Sequence, residues 1–245
     1  MAKKGHLNRQ KRLSASPIRF IERKAFVWSI NTKPGPHSTE TSVPLGMVVR
    51  DMLKLAATLR ETKRMLSTGY VLVDGVARKK HQFPVGLFDT VQVPTLKKAY
   101  RLTLDTKGRM CVFEVTGKTE NKPVKVTKKF IAKGGVLRIQ THTGAVYSNI
   151  DYAIAVGDSV IVKGTRDIAA HVPMKEGAHV FVTGGTHVGE IATVKSILPG
   201  TMRRDALVSL KEGASSFQTT ERNIMLIDDE TAKWIRSHTT TEGSA

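Results

Sequence analysis

The chain holds one cysteine, Cys111, in 245 residues. No intramolecular disulfide framework can form, and one thiolate cannot build a zinc cluster. Such sparing cysteine usage fits a reducing compartment. Aromatic residues make up only 6% of the chain, so its cores must be mostly aliphatic. No apolar run approaches the roughly 20 residues that a helix needs to cross a bilayer. The N-terminus is charged and lacks the apolar stretch of a signal peptide. We therefore expect a cytoplasmic protein with no membrane partner. Acidic residues are scarce as well: 21 Asp and Glu face 39 Lys and Arg, for a net charge of +18.

The distribution of that charge says more than its size. Residues 1–40 carry nine Lys/Arg against two Asp/Glu, residues 41–100 ten against four, and residues 101–136 nine against three. Residues 137–172 balance at three against three, and residues 173–245 hold eight against nine. The excess sits wholly in the first 136 residues. A segregated basic field points to a polyanion, nucleic acid before membrane. Charge kept for solubility alone need not be segregated by segment.

Along the chain, "AKKGHLNRQKRLSAS" reads as a basic tail that orders only against a partner. Ile18, Phe20, Ile21, Phe26 and Trp28 are the few apolar anchors after it, and "NTKPGPHSTETS" reads as a turn-rich linker. At residue 43 the pattern changes. Leu45, Val48, Val49, Met52, Leu53 and Ala56 share one helical face, with Pro44 in the first turn. Thr58-Leu59-Arg60-Glu61 has the form of a capping box, so a second helix should run to Ser67, with Gly69 as its left-handed end. Asp74-Gly75 between apolar runs signals a two-residue hairpin. "QFPVGLFDTVQV" returns as a strand, with turn residues at Gly86 and Asp89.

From Lys97 to Val172 the pattern is strand-like throughout. Turns are marked by Thr106-Lys107-Gly108, Gly134-Gly135 and Gly157-Asp158. "VGDSVIV" echoes "VGLFDTVQV", which we read as two strands with similar lead-in turns and not as a repeat. Cys111 lies in an apolar strand and reads as a core residue. Short strands continue over 173–227, as in a small barrel, and "DDETAKWIRSH" reads as a last helix with an acidic start. The expected fold class is mainly β with a small α+β module. The expected segments are 1–42 (basic extension), 43–95 (helix-helix-sheet module), 96–172 (central barrel-like β domain), 173–227 (small β-barrel) and 228–245 (helix and tail).

One stretch, "VFVTGGTHVGEIATV", looks superficially like the glycine turn of a dinucleotide site. Such a site needs a strand, a tight glycine turn and then a crossover helix. Only nine residues separate Gly189 from Pro199, and they include the β-branched Ile191, Thr193, Val194 and Ile197. A crossover needs at least about 10–12 residues. The alternative is a hairpin whose exposed tip is Thr183, Gly184, Gly185, Thr186, His187 and Val188, with Gly189 starting the returning strand.

"KEGAHVFVTGGTHVGEIATV" resembles a KOW motif, matching it at Gly177, Val180, Val182, Gly184, Gly185 and Gly189. The later glycine of that motif is absent near Ala192. Independently, residues 43–93 resemble the S4-type RNA-binding module through the short basic helix, "YVLVDGVAR" and "FPVGLFDTVQV". The order "GPHSTETSVPL", "YVLVDG", "YRLTLDTKGRM", the glycine loop and "SSFQTTERNIMLI" is similar to the S4e family of archaeal and eukaryotic small-subunit ribosomal proteins, the archaeal form more closely. The resemblance spans residues 1 to about 227. It implies a structural constituent of the small ribosomal subunit whose partners are small-subunit rRNA and neighbouring ribosomal proteins. It implies no homo-oligomer, no cofactor and no small-molecule substrate.

In the 43–93 module the expected RNA face combines Arg60, Lys63 and Arg64 on the second helix with Arg78, Lys79 and Lys80 after the hairpin. Such cations would contact phosphates and read the shape of A-form RNA. The tail, with Lys3, Lys4, Arg9, Lys11, Arg12, Arg19, Arg23 and Lys24, is expected to thread along RNA. Phe20 and Trp28 are candidates for base stacking, with packing on the protein the favoured role for Trp28. The tip from Thr183 to His187 can face RNA or a neighbouring protein. Catalytic constellations are missing: the eight histidines show no metal spacing, and no nucleophile elbow appears. Arg204-Asp205 is similar to the acidic site of pseudouridine synthases, but no large catalytic domain surrounds it. A non-ribosomal RNA-binding regulator or elongation factor is the main alternative, and an rRNA-modifying enzyme the remote one.

Overall fold

The computed structural model describes residues 9–115, 121–148, 153–164, 167–202, 204–213 and 215–239. The chain forms two compact units. The first comprises residues 1–103 and 109–119, the second residues 104–108 and 120–245.

The first unit begins with a strap. Its strands β1 (Arg9–Lys11) and β2 (Trp28–Ile30) pair antiparallel, Gln10 opposite Ser29. β3 (Val43–Pro44) leads into a helix, α1 (Leu45–Met47), which widens into a π-helical turn over Val48–Met52. Leu45, Val48 and Val49 are fully buried, as the periodicity requires. The helix expected to reach Ala56 stops early. The Leu53 N–H bonds the Val48 carbonyl five residues back, at 2.9 Å, and Lys54 turns left-handed at φ 54°. A widened turn followed by a left-handed residue ends the regular ladder.

α2 (Leu59–Ser67) starts at its cap as the sequence indicates. Thr58 Oγ1 accepts from the Glu61 N–H at 3.2 Å. The Glu61 carboxylate reaches back one residue further than a capping box needs and accepts from the Ala57 N–H at 3.0 Å. One helix-end donor, the Glu61 N–H, is thereby satisfied, together with the Ala57 N–H just before the cap. Gly69 follows at φ +81°. β4 (Leu72–Val73) and β5 (Val76–Ala77) form the hairpin, with Asp74 and Gly75 both at positive φ, as a type I′ turn demands.

β6 (Pro84–Val85) pairs with β3, and β7 (Thr90–Val93) pairs with β4. β8 (Lys98–Leu104) and β9 (Met110–Glu114) complete a sheet in the order β5-β4-β7-β8-β9. This corrects the boundary expected at residue 95. The β8 and β9 strands extend the sheet of the preceding module because Val91 pairs with Tyr100 and Thr90 with Arg101. Cys111, on β9, is only half-buried.

Residues 31–42 are also more than a linker. The His37 ring is buried against Gly86, where any Cβ would collide with it, and its Nε2 lies 3.0 Å from the Asp89 carboxylate. Asp89 in turn accepts from the Gly86 N–H at 2.8 Å.

The second unit holds two five-stranded antiparallel sheets. β10 (Asn121–Ile131), β11 (Leu137–Thr141), β12 (Val146–Ser148), β13 (Ser159–Lys163) and β14 (Asp167–Val172) are ordered β12-β11-β10-β13-β14. Their core is Val124, Val126, Ile139, Tyr147, Ile154, Val160 and Val162. β15 (His179–Val182), β16 (Ile191–Leu198), β17 (Leu207–Glu212), β18 (Ser215–Thr220) and β19 (Ile224–Leu226) are ordered β18-β17-β16-β15-β19. Their core is wholly aliphatic: Val180, Val182, Ala192, Val194, Val208, Leu210, Ile224 and Leu226. α3 (Asp229–Thr239) follows, and Asp228 Oδ1 accepts from the Thr231 N–H at its start.

The echo between "VGLFDTVQV" and "VGDSVIV" is a shared turn. Asp158 accepts from the Ala155 N–H three residues back, as Asp89 does from Gly86. Each carboxylate also meets a histidine from a separate segment, His171 at 2.7 Å for Asp158 and His37 for Asp89. A buried carboxylate needs such donors to offset its lost hydration.

Candidate RNA-binding surface

The first unit assembles one basic face from two elements. α2 turns Thr62 and Leu66 into the protein and leaves Arg60, Lys63 and Arg64 exposed. Its C-terminal Gly69 sits against Ala77 of β5, so the helix end abuts the hairpin. Immediately after β5, Lys79 and Lys80 are exposed and Arg78 is half-buried. The Arg78 guanidinium lies 4.6 Å over the Phe83 ring, which fixes its direction. His81 reports how close the two elements are. Its pKa is pushed down first by burial, then by the positive charges of Lys63 and Lys33. Lys63 of the helix therefore lies within electrostatic reach of His81, the residue that follows the post-hairpin run.

The strap departs from expectation. Lys3 and Lys4 lie outside the described residues, as does the side chain of Arg9. Lys11 is exposed. Arg19 is not on the surface: it is 2% exposed, so the expected RNA contact through its guanidinium is corrected. Its Nε donates to the Ser42 carbonyl at 3.1 Å, and Nη1 to Gln10 Oε1 at 2.8 Å and the Ile30 carbonyl at 3.4 Å. Nη2 donates to Thr32 Oγ1 and the Thr39 carbonyl, both at 3.2 Å. Burial lowers its pKa, yet arginine stays charged in proteins. The sequence looks the same at Arg19 as at its neighbours, because a guanidinium gathering loop carbonyls leaves no periodic trace.

Arg12 is half-committed. Its backbone N–H bonds the Val27 carbonyl at 3.0 Å, Nη1 donates to the Glu22 carbonyl at 2.7 Å, and the guanidinium lies 5.1 Å over the Phe26 ring. Trp28, expected to pack on the protein, is 52% exposed.

The glycine loop is a hairpin, with Val180 opposite Ala192 and Phe181 opposite Ile191. The segment after Gly189 is the strand β16, not a helix. Its tip is less free than the sequence suggests. The Thr183 N–H bonds the Asn223 carbonyl at 2.7 Å, and a Cβ on Gly184 would crowd Asn223. His187 stacks on Phe217 at 3.9 Å between centroids, and its Nδ1 meets the Glu190 carboxylate at 2.8 Å. A Cβ on Gly108 would meet Val188 at 3.3 Å, and one on Gly189 would sit 2.7 Å from the Asp105 carbonyl. Only Gly185 and Thr186 remain fully exposed. Glu212 lies beside this cluster with its pKa raised, first by burial, then by a hydrogen bond with Glu190 and the charge of Glu190.

Residues 96–166 match the family described as "Ribosomal family S4e". The small ribosomal subunit protein eS4 of Archaeoglobus fulgidus is 43% identical over 189 residues, covering 76% of this chain and 79% of that protein. The chain belongs to the S4e family of ribosomal proteins. The eS4 protein of Methanococcus maripaludis is 33% identical over 94% of this chain and 98% of its own length. The crystal structure of the 30S ribosomal protein S4e from Thermoplasma acidophilum matches with a TM-score of 0.66 and 29% identity, over 78% of this chain and 97% of that one.

Within this S4e-family chain, one basic element escapes the sequence reading. The β10–β11 hairpin exposes Lys128, Phe130, Ile131 and Lys133 around its Gly134-Gly135 turn. The signal was the "KVTKKFIAKGG" run itself, visible as charge but not placed at the exposed turn end of a hairpin. Other lysines in the unit serve inside it. Lys129 Nζ donates to the Ile154 carbonyl at 2.8 Å, and Lys125 Nζ to the carbonyls of Glu221 and Ile224. Lys125 lines a cleft of about 410 Å³ with His142, Asp205, Glu221 and Arg222. Asp205, the residue of the remote enzyme reading, faces Arg222 at 3.3 Å.

Proposed function

We propose that the exposed cations of the first unit hold small-subunit rRNA. As an S4e-family member the chain is a structural constituent of the small ribosomal subunit, in the cytoplasmic ribosome. The observation that carries the RNA reading is the exposure of cations on two adjoining elements, α2 and the run after β5. Arg60, Lys63 and Arg64 on one side, and Arg78, Lys79 and Lys80 on the other, present a two-sided row of donors. Such a row suits the phosphates of an A-form duplex, whose base edges are hidden in a deep groove. Lys11 extends the contact within the first unit. Gly185 and Thr186 meet a neighbouring ribosomal protein, a reading supported by the acidic pair Glu190 and Glu212 next to His187. Catalysis has no part in this reading.

The test is the salt dependence of binding to a small-subunit rRNA transcript. Changing Lys63, Arg64, Arg78 and Lys80 together to Ala should flatten the slope of log K against log salt. The expected change is about 0.7–0.9 for each phosphate no longer neutralised. An unchanged slope removes this face from the interface. The wild-type chain should also sediment with small subunits through high salt. A regulator that visits RNA transiently would wash off.

A further inference from the structure

The strap carries aromatic rings where a protein ordinarily hides them. Phe20 is 67% exposed, Phe26 71% and Trp28 52%. Two of these rings are paired with arginines: Arg12 lies 5.1 Å over Phe26, and Arg109 lies 5.3 Å over Phe20. Both pairs are braced by backbone. The Met110 N–H, next to Arg109, bonds the Ile18 carbonyl at 2.8 Å, two residues from Phe20. Arg12 holds the Glu22 carbonyl on the other side of Phe20, and its N–H holds the Val27 carbonyl between Phe26 and Trp28. The rings therefore belong to one loop of fixed shape, whose base is pinned from inside by Arg19.

We propose that this loop is a stacking platform for unpaired nucleobases of the bound RNA, with Phe20, Phe26 and Trp28 as the stacking surfaces. A guanidinium over one face of a ring leaves the rest of the ring to the solvent. Bases stack on such rings and on guanidinium planes whatever their identity. The charge around the rings selects the occupant. Residues 9–30 hold six Lys and Arg against one acidic residue, Glu22. Phosphates flanking a stacked base meet those cations, whereas an apolar protein surface laid over the rings would have to desolvate them. Duplex RNA keeps its bases stacked on one another, so the platform takes bulged, looped or terminal nucleotides. The proposal rests on the rRNA reading and adds a second kind of contact to it: the α2 face holds phosphates, the strap holds bases.

The two contacts separate experimentally. The full chain carrying Phe20→Leu, Phe26→Leu and Trp28→Leu keeps apolar bulk and every cation but has no π-faces on the strap. Its affinity for the rRNA transcript should fall at least about ten-fold, with the salt slope unchanged. Unaltered affinity overturns the platform. Unaltered affinity together with failure to join small subunits assigns the strap to a protein neighbour, which overturns it too. If the wild-type chain does not bind the transcript, the rRNA reading fails first, and the platform with it. A second measurement does not depend on how the triple variant folds. In a Trp234→Phe chain, Trp28 is the only indole. Single-stranded oligoadenylate should quench its fluorescence, and a duplex of the same length should not. Equal quenching by both, or by neither, rejects base stacking.

Discussion

The strap of the first unit and the glycine loop of the second are built as inverses. In the strap an arginine points inward and aromatic rings point outward. Arg19 gathers three backbone carbonyls and two side-chain oxygens, while Phe20, Phe26 and Trp28 face solvent. In the loop the aromatic group is laid on the protein and the backbone faces outward: His187 lies nearly parallel to Phe217, and Gly185 and Thr186 are the most exposed residues of the tip. The surrounding charge is inverted as well, cations around the strap and the Glu190–Glu212 pair beside the loop. Both segments are short, rich in turns and fixed by hydrogen bonds to distant chain. Turn chemistry therefore decides only that a segment is held, and the side chains left over decide what it meets.

Arg19→Ala should have the largest effect and would break the strap half of this comparison. It leaves the carbonyls of Ser42, Ile30 and Thr39 without their donor, which costs about 3 kcal/mol or more. Urea unfolding followed at Trp28 in a Trp234→Phe background should show the destabilisation, together with new protease cleavage between residues 9 and 42. An unchanged midpoint would mean that the strap is not pinned from inside.

Gly189→Ala against Gly75→Ala sharpens the loop half. Both glycines sit at similar positive φ, +84° and +78°. Gly75 has nothing within 4 Å of an added Cβ, whereas Gly189 faces the Asp105 carbonyl. Gly75→Ala should cost about 1 kcal/mol of left-handed strain. Gly189→Ala should cost about 2–3 kcal/mol, because backbone must also move. Equal melting points for the two variants would show that the Asp105 carbonyl does not confine the loop.

The smallest effect concerns pH. The Glu212 carboxyl titrates above its ordinary range in the folded chain, so the folded state holds a proton the unfolded state has released. Its contribution is full below the unfolded pKa and is lost as pH rises through the folded one. Glu212→Gln should flatten the decline of Tm in that window. Lys211→Gln, a change of charge one residue away that keeps the Glu190–Glu212 pair, should leave the decline in place. A decline of the same steepness in both variants would take Glu212 out of the loop's electrostatics.

Much of the architecture was legible because it depends on local rules. Thr58 and Glu61 mark a helix start, Asp74-Gly75 a type I′ hairpin, and the β-branched residues after Gly189 a strand in place of a crossover helix. The basic face was legible for the same reason: Lys63 and Arg64 lie one turn from the end of a helix that runs directly into the hairpin. What escaped depends on long-range pairing. The β8 and β9 strands belong with the first sheet through register with β7, and their own sequence pattern is that of any half-buried hairpin. His37 reads as a loop residue until Asp89, 52 positions later, is placed beside it. Arg19 reads as one more cation in a basic tail.

The pinning of the strap also has a thermodynamic consequence. A basic tail that folds against RNA spends part of its binding energy on its own ordering, and its association carries the large heat-capacity change of coupled folding. Residues 10–30 have already given up that freedom when the chain folds, so on the proposed reading their rings and cations would meet RNA as a rigid surface. Calorimetry should then find a heat-capacity change set by the buried area alone, and an association free of any slow ordering step at the strap.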